Sequence, residues 1–268
     1  MNTKTIQDHL GRTLTYSFPP QRIISLCPSQ TETVFSLGLD KQIVGVTNYC
    51  IHPADKIATI QKIGGTKKIN YSLIETLHPD LVIAEKEENT IEIVDKLSQK
   101  YPVYVTNVEN YDGALKMITD LGILTNTETQ ANQLVENIKQ RFLNLIPANN
   151  IKVAYFIWRK PFMVAGSNTF IHSILQRAGF HNVFENYEGR YPKITSENIA
   201  NCGADYVFLS SEPYPFTEKH IAEIRNFLPT ATVILVNGEM FSWYGSRMLF
   251  SVDYLNKLIE KMSNFATI

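Results

Sequence analysis

With 268 residues, 44% of them hydrophobic, the chain is long enough for two lobes of about 120 residues each and too apolar for a disordered polypeptide. A formal net charge of −1 gives no reason to expect nucleic acid or an anionic membrane as partner, and no stretch approaches the roughly 20 apolar residues of a membrane span. Three scattered cysteines, Cys27, Cys50 and Cys202, do not make a disulfide framework and suit a reducing compartment.

The N-terminal stretch MNTKTIQDHLGRTLTYSFPPQ is polar and carries no apolar signal core, so the chain as written reads as cytoplasmic. After the Pro-Pro pair, RIISL (22–26) predicts a buried strand and QTETVFSLGL a helix closed by Gly38. IVGV (43–46), LVIA (81–84) and VYV (103–105) predict further strands, with helical patterns near 70–77, 89–98 and 111–121 between and after them. Strand alternating with helix argues for parallel α/β construction.

TETQANQLVENIKQRFLNLI (127–146) breaks the alternation. Ala131, Leu134, Val135, Ile138, Phe142 and Leu145 share one face of a helix of five or six turns, Thr127 with Gln130 resembles a capping box, and Pro147 ends the run. The α/β pattern then restarts with IKVAYFI (151–157), a helix near 169–178 closed by Gly179, YVFL (206–209), TVILV (232–236) and the helical MLFSVDYLNKLIEKM. The second half echoes the first at an offset near 125–130 residues: SLIETLHPDLVIAEKEEN has the layout of ENIANCGADYVFLSSEPY, with Asp80 and Asp205 each heading a strand. The predicted fold is α/β, two Rossmann-like lobes (1–125 and 148–268) joined by a single long helix (126–147), with the ligand cleft between the lobes.

In open parallel sheets, ligands gather at the carboxyl ends of the strands. The segments leaving those ends are CPSQTE, TNYCIHP, EKEEN, WRKPF, SSEPYPF and GEMFSWYG, a set rich in aromatics and charge. They make Trp158, Trp243 and Tyr244 candidate ligand-lining residues; packing under the last helix is the alternative for the last two. Lys86, Arg159 and Arg247 are candidates to meet acidic groups, Lys86 being equally readable as part of a solvated tip. Arg247 falls in a first helical turn, the unfavourable end for a cation, so it should pair with an acid such as Glu239 or with a ligand anion. Cys27 and Cys50 both follow first-lobe strands, and a soft-metal site there is the less favoured reading. The chain has no G-x-G-x-x-G, Walker, H-E-x-x-H, G-x-S-x-G or C-x-x-C motif, and its six histidines are dispersed, so no catalytic residue and no protein-held metal are predicted.

PPQRIISLCPSQTETVFSLGL, then VGVTNY and LHPDLVIA, resemble the class III, helical-backbone substrate-binding proteins of ABC importers, and the similarity runs from Asp8-His9-Leu10-Gly11-Arg12 to the final helix. The resemblance implies a non-enzymatic monomer, without a cofactor of its own, that binds a metal chelate (vitamin B12, a ferric siderophore or haem, so that iron or cobalt arrives with the ligand). It implies an ABC permease as partner and, if a leader was removed, the periplasm or cell envelope as location. Tyr49, Phe162 and Phe241 match aromatic positions of the family's cleft, while Thr66 and Met240 stand where tryptophans are expected. Glu197 matches a permease-docking glutamate whose first-lobe counterpart is the uncharged Ser72, with Glu75 one turn away. The competing expectation is a cytoplasmic chelate-binding or chelatase-like protein using Glu239 or His52.

Overall fold

The computed structural model describes residues 2–265, which divide into two α/β units. Of the described residues, the first comprises 2–108, 112–139 and 244–247, and the second 109–111, 140–243 and 248–265. Two boundaries therefore differ from the expected 1–125 and 148–268. The first unit keeps most of the helical connection, and it also owns a four-residue piece from near the C-terminus.

The first unit opens with an antiparallel hairpin, β1 (Thr3–Gln7) and β2 (Thr13–Ser17), in a stretch for which the sequence predicts no strand. Its turn is built on buried Asp8, whose carboxylate accepts from the amides of Leu10 and Arg12 and from the Arg12 guanidinium at 2.7–2.8 Å. The sheet then follows: β3 (Ile23–Ser25), α1 (Pro28–Ser36), β4 (Ile43–Val46), α2 (Ala54–Ile57), β5 (Gln61–Lys62), α3 (Tyr71–Leu77), β6 (Leu81–Glu85), α4 (Ile91–Ser98) and β7 (Val103–Thr106). All five sheet strands are parallel, in the order β5-β4-β3-β6-β7. The chain starts in the middle, runs out to one edge and returns to the other side. The switch point thus lies between β3 and β6, and the loops after those strands hold the position where such sheets bind ligands. Gly38 stands just past α1 at φ +84°, the left-handed position that closes a helix at least cost to glycine.

Two fifteen-residue helices follow, α5 (Tyr111–Thr125) and α6 (Glu128–Phe142), where a single helix over 127–146 was expected after a shorter pattern. They pack so closely that a Cβ on Gly122 would stand 2.5 Å from that of Ala131. Thr127 does not make a capping box: its hydroxyl shares a hydrogen bond with Thr125 at 2.8 Å. The helix stops four residues before the expected end because Asn256 takes the backbone groups that would continue it. The Asn256 side chain accepts from the Ile146 amide (2.8 Å) and donates to the Asn144 carbonyl (2.9 Å).

The second unit contains β8 (Lys152–Trp158), β9 (Phe162–Val164), α7 (Phe170–Arg177), β10 (His181–Asn182), β11 (Lys193–Ile194), α8 (Ser196–Asn201), β12 (Tyr206–Ser210), α9 (Glu218–Phe227), β13 (Thr232–Val236), α10 (Glu239–Ser242) and α11 (Met248–Phe265). Its sheet runs β11-β9-β8-β12-β13, with β10 beside the start of β8. β8, β10, β12 and β13 are parallel, whereas β9 runs antiparallel to β8, because the chain leaving β8 turns straight back at Lys160 (φ +63°), and β11 pairs antiparallel with β9. The internal repeat has a concrete counterpart in each unit. Asp80, heading β6, accepts from the amides of Gln21 and Arg22 beside the start of β3 (2.7 and 2.8 Å), and Asp205, heading β12, accepts from the Lys152 amide at the start of β8 (2.9 Å). Each aspartate pins two neighbouring strands in register. Buried aliphatic side chains dominate the first unit's core (Ile24, Ile74, Val82, Leu97), and the second unit's core adds aromatics (Phe156, Phe184, Phe216).

Candidate functional site

The first unit presents the loops after β3, β4 and β6 at the carboxyl edge of its sheet. Tyr49, in the loop after β4, is 61% exposed, with its ring edge beside Gly65, where a Cβ would stand 3.3 Å away. The loop beneath it is firmly held. Cys50 is buried with its sulfur 3.1 Å from the hydroxyls of Thr31 and Thr47, and the Lys62 ammonium donates to the Cys50 carbonyl at 2.7 Å. Burial pushes the Cys50 thiol up, against the pull of those hydrogen bonds, so it is a neutral, small core group. The phenol ring of Tyr49 thus stands exposed on a loop held by hydrogen bonds.

The loop after β6 carries Lys86, which is exposed, while its amide donates to the Thr106 carbonyl at 3.0 Å. The residue before it was not singled out by the sequence reading. Glu85 is 2% exposed, and burial pushes its carboxyl up to about 7. One of its oxygens accepts from the amides of Glu87 (2.6 Å) and Glu88 (3.0 Å). The signal was present: an acid as the last residue of the buried strand LVIAE has no other reason to be inside.

In the second unit, Trp158 ends β8 and is 40% exposed, with its ring edge-to-face on Tyr214 at 5.7 Å. Arg159 is held by both oxygens of Glu223 (2.7 and 2.9 Å), which keeps the Glu223 carboxyl below its ordinary range. Phe162 lies on β9, half-buried between Phe156 (5.8 Å) and Phe227 (6.2 Å), and contributes to the core. Glu239 opens α10 and is half-buried, its amide donating to Asn237. Glu197 sits exposed in the first turn of α8. In the first unit, Ser72 is exposed in the first turn of α3, and Glu75 is engaged by Lys100 at 2.7 Å.

GEMFSWYGSR is divided between the units. Phe241 is fully buried in the second, against Tyr155 (5.1 Å), Phe208 (6.0 Å) and Tyr254 (6.1 Å), and Trp243 is buried at the end of α10. Tyr244 and Arg247 are buried in the first unit. The Tyr244 hydroxyl lies 3.4 Å from the Gln30 amide nitrogen and 3.9 Å from the Cys27 sulfur, and burial pushes both that phenol and that thiol up, so both are neutral. Arg247 forms a two-point ion pair with Glu32 (2.8 and 2.9 Å). Within their own units these four side chains are buried, and Arg247 is paired there. Among the described residues no group of three or more His, Cys, Asp or Glu side chains is placed to hold a metal ion, and no helix is long and apolar enough to cross a membrane.

The model of the family described as "Periplasmic binding protein" matches residues 23–228. The vitamin B12-binding protein of Pectobacterium carotovorum subsp. carotovorum (strain PC1) is 22% identical over 254 residues, 91% of this chain and 90% of the relative. The uncharacterized ABC transporter substrate-binding lipoprotein YvrC of Bacillus subtilis (strain 168) is 26% identical over 216 residues, 76% of this chain and 68% of that protein. Among solved structures, the periplasmic heme-binding protein RhuT from Roseiflexus sp. RS-1, in its apo form, superposes with a TM-score of 0.78 at 19% identity, covering 91% of this chain and 98% of that one.

Proposed function

This chain belongs to the periplasmic binding protein family, and we propose that it is the substrate-binding component of an ABC-type uptake system for a metal chelate: a corrinoid, a ferric siderophore or haem. The observation that carries the reading is the family match itself, which spans the central strands of both sheets, joined to relatives whose names specify vitamin B12 binding and ABC transport. The family and these relatives are binding proteins, and a role without catalysis accords with them. The cell envelope is the location that goes with a lipoprotein relative, and exposed Glu197 is the docking contact for a permease.

Of the candidate residues, Tyr49 and Trp158 are the ones that meet ligand by stacking, because each ring stands exposed at the carboxyl end of a strand. Exposed Lys86 supplies charge to an acidic periphery. Arg159 contributes only by giving up part of its pairing with Glu223, and Phe162, Phe241, Trp243, Tyr244 and Arg247 support the fold behind the contact residues. Cobalamin, cobinamide, haem and a ferric hydroxamate siderophore are to be titrated while tryptophan emission is followed. At least one should bind and quench Trp158. Stacking adds roughly 0.5–1.5 kcal/mol beyond area burial, so Tyr49→Ala and Trp158→Ala should each weaken that chelate several-fold, and Phe241→Leu should leave its affinity near the parent value. Absence of binding by all four chelates overturns the reading. Unchanged affinity in Trp158→Ala removes that ring from the contact.

A further inference from the structure

The Glu85–Asn89 loop is wound around a buried carboxyl. Glu85 Oε2 accepts from the Glu87 and Glu88 amides, and the Asn89 side chain closes the turn from the other end: its Oδ1 accepts from the Glu85 amide (2.8 Å), and its Nδ2 donates to the carbonyls of Thr66 (3.0 Å) and Leu26 (3.3 Å). Lys67 bonds the Glu87 carbonyl. The second oxygen, Glu85 Oε1, is buried and has no hydrogen-bond partner among the described residues, and neither has Gln30 Oε1. The two belong to one cluster. Thr106 is the β7 partner of Glu85, so their side chains share a face of the sheet, and the Gln30 amide donates to the Thr106 hydroxyl from α1. Two orphaned acceptors in one buried cluster are a costly arrangement, relieved when one of them carries a proton and becomes a donor.

We propose that Glu85 is a positioning residue for this loop, its buried carboxyl taking up and releasing a proton and thereby setting how firmly the turn that carries Lys86 is held. As a carboxylate, Oε2 holds the Glu87 and Glu88 amides through charge-assisted bonds, and Lys86 is displayed from a tight turn. As an acid, the group offers Oε1–H to the cluster, where Gln30 Oε1 is the acceptor without a partner, and its hold on the two amides weakens. Burial, which places this carboxyl near 7, sets the exchange in the neutral range. The groups facing it do not compete for the proton by changing charge there. From α1 and its N-cap come neutral Cys27 and Gln30, from the 244–247 segment neutral Tyr244, and from β7 the Thr106 hydroxyl. The carboxylates of Glu87 and Glu88 add negative potential from the loop itself and favour protonation, whereas the Glu87 and Glu88 amides that bond Oε2 oppose it.

The inference rests on Lys86 being a ligand contact, and its test needs no ligand, so the two fail separately. Backbone amide resonances of Lys86–Asn89 are followed by NMR in the full chain from pH 5.5 to 8.5, in the parent and in Glu85→Gln. The expected result is that the Glu87 and Glu88 amides titrate with one common midpoint near 7, that their exchange, corrected for intrinsic rates, quickens at least several-fold below that midpoint, and that both effects vanish in Glu85→Gln. A purely structural Glu85 would produce no such pH profile. Flat amides in the parent, midpoints in the range of an ordinary surface carboxylate, or a profile that survives in Glu85→Gln each overturn the proposal. The parent titration alone decides it should the variant not fold.

Discussion

Gly245→Ala is expected to destabilise the first unit by about 2–5 kcal/mol, read as a lowered urea midpoint without a change in slope. Two costs add. Gly245 holds φ +84°, where an L side chain is strained by about 1–2 kcal/mol, and a Cβ there would stand 2.0 Å from the Thr33 hydroxyl oxygen. That hydroxyl has little room to retreat, since it donates to the Ser29 carbonyl (2.8 Å) and accepts from the Ser246 amide (3.2 Å). Overpacking of this kind costs about 1–3 kcal/mol more. The two terms separate in a double-mutant cycle. Thr33→Ala removes the clashing atom, so combining it with Gly245→Ala should recover the overpacking part, and a coupling below about 0.5 kcal/mol would show that the close approach does not exist in solution.

The second large effect is a pH dependence. The Glu85 carboxyl is raised from 4.5 to about 7 in the folded chain, chiefly by burial, so between those values the folded state binds more protons than the unfolded one. Stability from this group is fully present below 4.5 and is lost as pH rises through 7. Such a displacement corresponds to about 3 kcal/mol. In Glu85→Gln the side chain is neutral throughout while an amide oxygen still accepts from the turn. The variant should therefore match the parent near pH 4.5 and exceed it in unfolding free energy by up to about 3 kcal/mol at pH 8. Histidines and other groups titrate equally in both proteins and cancel in the difference. Parallel curves for parent and variant across pH 4.5–8 would mean that Glu85 titrates normally in the folded chain. The same ionisation that costs the fold stability tightens the loop around Lys86, which is how a buried acid at a strand end serves placement at the expense of stability.

Much of this architecture is legible in the sequence alone. Runs such as LVIA and TVILV are short and apolar, and that composition is enough to place a strand, buried throughout in β6 and partly exposed in the edge strand β13. Gly38 and the Asp80/Asp205 pair act on backbone within a few residues or at a repeated offset, so their roles showed through spacing. Alternation of strand with helix was enough for two α/β units, and the residues after the strands contained the exposed Tyr49 and Trp158. The N-terminal hairpin was missed because its alternation, TKTIQ and TLTYS, is mostly polar and its turn is fixed by Asp8. The long helix was overextended because Asn256, more than a hundred residues away in sequence, decides where it ends.

GEMFSWYGSR marks the limit of sequence reading most clearly. Its composition established that four bulky side chains and a cation lie between a strand and a helix, and nothing local distinguishes an aromatic wall facing ligand from aromatic packing. The tertiary structure supplies the partners that the sequence could not name. Phe241 closes the core under Tyr155, Tyr244 reaches Gln30 and Cys27, and Arg247 finds Glu32, a partner 215 positions earlier. Hydrophobic periodicity reports whether a side chain prefers burial, a property of the residue and its near neighbours. Which surface buries it, and whether a charge meets a protein carboxylate or a ligand, depends on the long-range contacts that only the folded chain brings together.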